Sequence, residues 1–203
     1  MKSISALLLL VCFWNSALSC PNDGTLEFLN VKNGQGYYLR GYYGPDSFIA
    51  YIHGKEFSKA ETSEPTEGRY FFIDGIAYQQ LVARRTKYSG TESMSEAQNL
   101  EAHYKWELAY VEKQLEARGG ALKGHTSYGV VETKNKDGAS RKFFIWETSV
   151  AGAKQYYLTT STSFGVVGLT LMGIKPNDEE LAKAAIDNYM YRYRILSDAD
   201  CKN

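Results

Sequence analysis

Three histidines, at positions 53, 103 and 125, are the side chains of this chain best suited by type to move a proton near neutral pH. His103 and Glu107 stand at i and i+4 of a helical pattern, with Glu96 nearly two turns earlier, so the two could share a ligand. The same spacing is common on solvated helix faces, and that is the reading adopted. His53-Gly54-Lys55-Glu56 lies where a strand enters a loop and could supply a general acid or base. It reads first as an ordinary strand-end histidine, as does His125 beside Gly124. No C-x-x-C pair and no H-E-x-x-H run occurs, so no metal centre is expected. A serine nucleophile would want a G-x-S-x-G turn, and Ser161 and Ser163 read instead as a strand end and turn. Gly34-Gln35-Gly36 is a lone glycine-rich fragment without a following helix, so neither nucleotide binding nor any cofactor is expected. A hydrolase built on His53 or His103 with nearby carboxylates is kept as an alternative to a protein without catalysis.

The sixteen tyrosines carry more information. Tyr37-Tyr38, Tyr42-Tyr43 and Tyr156-Tyr157 fall as pairs inside strand-like segments, where neighbours point to opposite faces. One of each pair therefore either leaves the core for a binding surface or packs beneath a helix or loop, and packing is the preferred reading. On the helix, a core stripe along Ala97, Tyr104, Leu108 and Val111 places Trp106 opposite, on the wet face. Asn99, His103, Tyr110 and Lys113 surround it. Trp106, Tyr110, His103 and Asn99 thus form the candidate binding site, and a protein is the expected partner.

These residues need elements to hold them. Thr25–Val31, Gly36–Tyr43 and Ser47–Ile52 read as strands, the last two joined at Gly44-Pro45-Asp46. Gly54 to Gly68 reads as a long surface loop, and Phe71 to Arg85 as strand, with Ile76, Tyr78, Leu81 and Ala83 buried. Ala97, Leu100, Tyr104, Leu108, Val111 and Leu115 then recur at helical spacing. Ser93 and Glu96 form the expected capping box, and Gly119-Gly120 the stop. Four strands follow, about 126–133, 141–149, 155–160 and 165–172, with turns at Asp137-Gly138 and Ala151-Gly152. Pro176-Asn177-Asp178 caps a second helix whose Leu181, Ala185, Ile186, Tyr189 and Tyr193 lie along one side. The predicted fold class is α+β: a mainly antiparallel sheet with a long central helix and a C-terminal helix packed on it.

In layout, the stretch from Gly90 to Leu196 resembles the PsbP-like α/β/α sandwich. The likeness lies in the helix from Ser93 to Arg118, the strand ending Gly129-Val130-Val131-Glu132, and the hairpin Arg141–Leu158. Gly168-Leu169-Thr170-Leu171 and a helix ending Tyr193-Arg194-Ile195-Leu196 complete it. The resemblance implies a binding or accessory factor rather than an enzyme, and carries over no functional residue.

Met1-Lys2, the apolar run Ile4 to Trp14 and the small residues Ala17 and Ser19 read as an export signal cleaved before Cys20. Residues 20–203 would then be one extracytoplasmic domain, periplasmic or secreted. No second apolar run approaches the ~20 residues a transmembrane helix needs. Lysine plus arginine and aspartate plus glutamate balance at 23 each, so no basic excess exists to bind a phosphate backbone, and nucleic acid is not expected as a partner. Cys20 and Cys201 sit at the two ends of the mature chain and suit a disulfide in an oxidising compartment. The other reading makes Cys20 a lipid-anchored first residue, although Ala17 stands where that motif prefers Leu. The function expected is that of an exported, non-enzymatic binding or accessory protein of the periplasm or cell envelope, acting through protein contacts. An envelope lipoprotein or an immunity protein against an exported toxin are the remaining alternatives.

Overall fold

The computed structural model describes residues 20–31, 35–59, 69–89, 94–150, 152–197 and 199–202. The proposed signal, Ser93 and most of the expected 54–68 loop lie outside these residues. Eleven strands and two α-helices are present among the described residues. Strands β1 (Leu26–Asn30), β2 (Gly36–Gly41), β3 (Phe48–His53) and the short β11 (Arg194–Ile195) form one antiparallel sheet in the order β1-β2-β3-β11. The second sheet holds β4 (Phe57–Lys59), β5 (Arg69–Ile73), β6 (Ile76–Arg84), β7 (His125–Lys134), β8 (Ser140–Val150), β9 (Ala153–Ser161) and β10 (Gly165–Ile174). Its order is β4-β5-β6-β10-β9-β8-β7, and every pairing is antiparallel. The expected α+β class holds, with two sheets in place of one.

Helix α1 (Glu96–Ala117) covers one face of the seven-stranded sheet, packing on Ala83, Phe144, Trp146, Tyr157 and Val166. The opposite face of that sheet meets the four-stranded sheet and α2 (Glu179–Arg192) in the main core. Leu39, Phe48 and Ile52 come from one sheet, Phe71, Leu158 and Leu169 from the other, and Ala182, Ile186 and Tyr189 from the helix. A third cluster lies on the outer face of the four-stranded sheet, where Cys20 and Cys201 pack with Tyr42, Ile49 and Leu196. Those cysteines are bonded, with Cα atoms 5.3 Å apart and 181 positions between them in sequence. A sulfur bonded to Cys201 cannot also carry a thioether-linked lipid.

The pairs Tyr37-Tyr38 and Tyr156-Tyr157 divide as strand alternation demands, Tyr42-Tyr43 follow the end of β2, and both members of each pair find cover. Tyr37, Tyr43 and Tyr156 enter the main core, Tyr38 and Tyr42 join the disulfide cluster, and Tyr157 lies beneath α1. Strand β10 explains why so long a segment can be almost wholly apolar: it is central, and covered on both faces.

Several boundaries differ from expectation. The β-type segment Phe71–Arg85 contains a turn, because Asp74 and Gly75 both take positive φ (50° and 79°) and fold β5 onto β6. Of its four predicted core residues, Ile76, Tyr78 and Ala83 are buried and Leu81 is partly so. The start of the expected loop contains β4, which extends the sheet edge beside β5. Helix α1 begins two residues later than expected. Ser95 accepts from the Gln98 backbone N–H, and Gln98 accepts from the Ser95 backbone N–H. Its end is as expected, with Gly119 at φ 73° and the Gly119 and Gly120 amides donating to the carbonyls of Glu116 and Leu115. On α2 the buried stripe is Ala182, Ala185, Ile186, Tyr189 and Met190, and Leu181 is exposed.

Candidate functional site: a cleft beneath the long helix

The seven-stranded sheet builds the floor of a cleft from a single cross-strand row. Tyr70 on β5 pairs with Gln79 on β6, Gln79 with Thr170 on β10, Thr170 with Tyr157 on β9, and Tyr157 with Trp146 on β8. All five side chains therefore face α1. Trp146 is fully buried and its ring stacks on Tyr157, with centroids 3.8 Å apart. The Tyr157 hydroxyl donates to Gln155 Oε1 at 2.6 Å, which fixes the ring, and burial raises its phenol to about 12. The second half of α1 forms the roof. Between roof and floor lies a half-open cavity of about 560 Å³, lined on the helix by Trp106, Glu107, Tyr110, Val111, Gln114 and Leu115. That volume falls in the range of sites that receive a small ligand or a protruding side chain.

Trp106 stacks on Tyr110, with centroids 5.8 Å apart and planes within 14°, and leans against Tyr88 and His103. Trp106 is partly buried and Tyr110 is 49% exposed, so the pair spans from the cleft to solvent. Glu107 is the one carboxylate in the lining. Its side chain is only 12% exposed, and burial raises the carboxyl to about 7. Burial, followed by the charges of Tyr110 and Glu107, raises the Tyr70 phenol, with Arg118 opposing. Three phenols and one carboxyl are thus gathered in a cleft of mixed lining, where Leu81, Val111, Leu115 and Met172 alternate with Gln79, Thr170, Lys87 and Arg118.

The four predicted binding residues separate into two pairs. Trp106 and Tyr110 line the cleft together. Asn99 and His103 do not reach the surface; both are fully buried. Asn99 is a structural pin. Its Nδ2 donates to Ser161 Oγ and to the Gly165 carbonyl, each at 2.8 Å, while its Oδ1 accepts from the Tyr88 hydroxyl (2.7 Å) and Arg85 Nε (3.2 Å). This bolts the first turns of α1 to the β9–β10 connection. His103 sits edge-on to Tyr88, and neither ring nitrogen has a hydrogen-bond partner among the described residues. Burial lowers it to about 4, so the imidazole is neutral at pH 7. Glu107 Oε2 lies 3.8 Å from its Nε2, within reach of charge but beyond a hydrogen bond.

The expected direction of α1 is therefore corrected. Of the predicted stripe, Tyr104, Leu108 and Val111 do pack on the sheet and Ala97 is exposed, while Leu100, Asn99, His103 and Glu107 extend the buried side. At 100° per residue this is a turn of roughly 60° from the predicted stripe, and it moves Trp106 from the far side to the flank of the buried face. His53 and His125 are both exposed, on β3 and β7, far apart in the topology, and His103 is sealed on α1. The structure does not gather the three. No group of three or more potential metal ligands occurs among the described residues, and no helix there is long and apolar enough to cross a membrane.

No family model matches the chain, and no curated protein matches it. Among solved structures, the solution structure of cyanobacterial PsbP (CyanoP) from Synechocystis superimposes over 88% of this chain and 98% of that one. The two share 9% sequence identity with a TM-score of 0.45, a likeness of fold layout alone.

Proposed function

We propose that this chain is an exported, non-enzymatic binding or accessory protein that takes an apolar side chain of a partner protein into the cleft beneath α1. The observation that carries the reading is the cavity itself, where Trp106 and Tyr110 stand at the mouth over a floor of Tyr70 and Tyr157. Rigid aromatic rings bordering a depression bury large area at small entropic cost, the usual make-up of an interaction hot spot. Export is supported by the apolar N-terminal run and by the Cys20–Cys201 bond, which persists in an oxidising compartment. The same bond counts against the lipid-anchored alternative.

One observation favours a second reading. A carboxyl raised to about 7 in an aromatic cleft has the proton affinity of a general acid, which would return the hydrolase alternative with Glu107 at its centre.

The test is affinity capture from an envelope extract using wild-type, Trp106→Ala and Tyr110→Ala proteins side by side. The expected result is a partner held by wild type and weakened at least about tenfold by Tyr110→Ala, at unchanged melting temperature. Trp106→Ala should weaken it further. Capture unaffected by either substitution would refute the cleft as the docking site. A partner whose turnover depends on Glu107 would establish the second reading.

A further inference from the structure

A second cavity, of about 570 Å³, lies away from α1 on the outer face of the four-stranded sheet. The register of that sheet explains its character. Glu27, Arg40, Ile49 and Arg194 form one cross-strand row, and Leu29, Tyr38 and Tyr51 form the next. Arg40 and Arg194 thus flank the apolar Ile49 from either side, about 10 Å apart at ordinary strand spacing. The last turn of α2 adds Arg192, and the β7–β8 connection adds Lys136 and Asp137.

The acids nearby fully answer only one of these cations. Arg194 is satisfied: its two terminal nitrogens meet Asp200 at 2.9 and 3.0 Å, and Asp137 lies 3.9 Å from its Nε. Arg40 donates to the Tyr42 hydroxyl at 3.0 Å and sees Glu27 only at 4.0 Å, with its Nε buried and without a partner. Arg192 lies 5.1 Å above the Tyr51 ring, and its buried Nε is also without a partner. Lys136 is exposed, and its ammonium has no acidic partner among the described residues. A chain of zero formal net charge has therefore collected four cations in one cavity against a single lining acid. A guanidinium or ammonium group without a close carboxylate is the kind of donor that an incoming oxyanion satisfies.

We propose that this groove is a binding site for an oxyanion carried on an aromatic or apolar body, an aryl or alkyl carboxylate or phosphate. The oxygens meet Arg192, Arg40 and Lys136, and the body lies on Ile49 and Tyr38. Planar guanidinium groups suit two-oxygen anions of either kind. The site is independent of the cleft beneath α1, and either can fail without the other.

Phenyl phosphate and benzoate, with inorganic phosphate as the bare anion, can be titrated into the protein and followed by chemical-shift perturbation. Saturable binding of an aryl anion at about 1 mM or tighter is expected, with shifts confined to β2, β3, β11, the end of α2 and the β7–β8 connection. The order of phenyl phosphate and benzoate identifies the preferred oxyanion. Arg192→Gln combined with Lys136→Gln should weaken binding at least tenfold, and Lys105→Gln on α1 should leave it unchanged. Should Arg192→Gln disturb folding, Lys136→Gln alone, at an exposed position, must still weaken binding about threefold. No saturable binding of either aryl anion would overturn the proposal. So would binding indifferent to the double substitution, or bare phosphate binding as tightly as phenyl phosphate.

Discussion

Replacing Glu107 by Gln should stabilise the protein at alkaline pH and leave it nearly unchanged at pH 4.5. Burial lifts the carboxyl from its ordinary 4.5 to about 7, so the folded chain keeps a proton that the unfolded chain releases. The stability this contributes is full below 4.5 and is lost as pH rises through 7. At pH 8 the loss corresponds to about 3 kcal/mol, an upper figure because relaxation around the charged form reduces it. His103 acts in the opposite sense. Lowered from 6.5 to about 4, it contributes stability that is full above 6.5 and lost as pH falls through 4. Between 4.5 and 6.5 the two slopes cancel, and the pair holds a single proton. Glu107→Gln removes one slope only, because the amide resembles the protonated carboxyl. Urea denaturation of both proteins at pH 4.5, 6 and 8 should show equal stability at the first pH and a variant about 2–3 kcal/mol more stable at the last. A variant less stable than wild type at pH 6 and 8 would refute this reasoning. It would mean that the shared proton sits on His103 and that the pair is ionic, since removing one buried charge then strands the other.

Asn99→Ala should cost about 2–3 kcal/mol in denaturant melts, because it leaves the Tyr88 hydroxyl and the Gly165 carbonyl each short of a bond in a buried place. A loss below about 0.5 kcal/mol would show that the pin at the start of α1 is dispensable. Cys201→Ser, or reduction, should lower stability by up to about 5 kcal/mol, since the bond closes a loop of 181 positions. Intact mass after alkylation without reductant checks the bond directly, and two alkylated cysteines would refute it.

Strands and helices were legible wherever period and turn chemistry agreed. The β7–β10 meander shows it best, where Asp137-Gly138 and Gly152 punctuate long alternating runs. The Asp74-Gly75 turn carries an equally strong signal, but the apolar residues on both sides of it mask the break between β5 and β6. Leu181 was misplaced for a different reason. The stripe that packs is built from alanines, Ala182 and Ala185, which let α2 sit close to β3, and a scale that rewards bulk turns the helix toward its largest apolar residue.

Apolar periodicity locates only part of the buried side of α1: Leu100, Tyr104, Leu108 and Val111 pack on the sheet as expected, but that side extends to the polar Asn99, His103 and Glu107. Asn99 is admitted to the interior only because all four of its hydrogen-bonding positions meet groups from β9, β10 and the segment before the helix. Those partners lie up to 66 positions away in sequence, and no local pattern announces them. His103 and Glu107 are admitted because burial shifts both toward their neutral forms, the imidazole by losing its proton well below pH 7 and the carboxyl by holding one up to about pH 7. A hydropathy scale assigns all three to water and so rotates the helix toward Ala97, which the structure leaves exposed. The error displaced Asn99 and His103 but spared Trp106 and Tyr110, which flank the true buried face and border the cleft. The aromatic signal survived because a large ring on a helix has few stable places: packed in the core, or bordering a depression that another surface can fill.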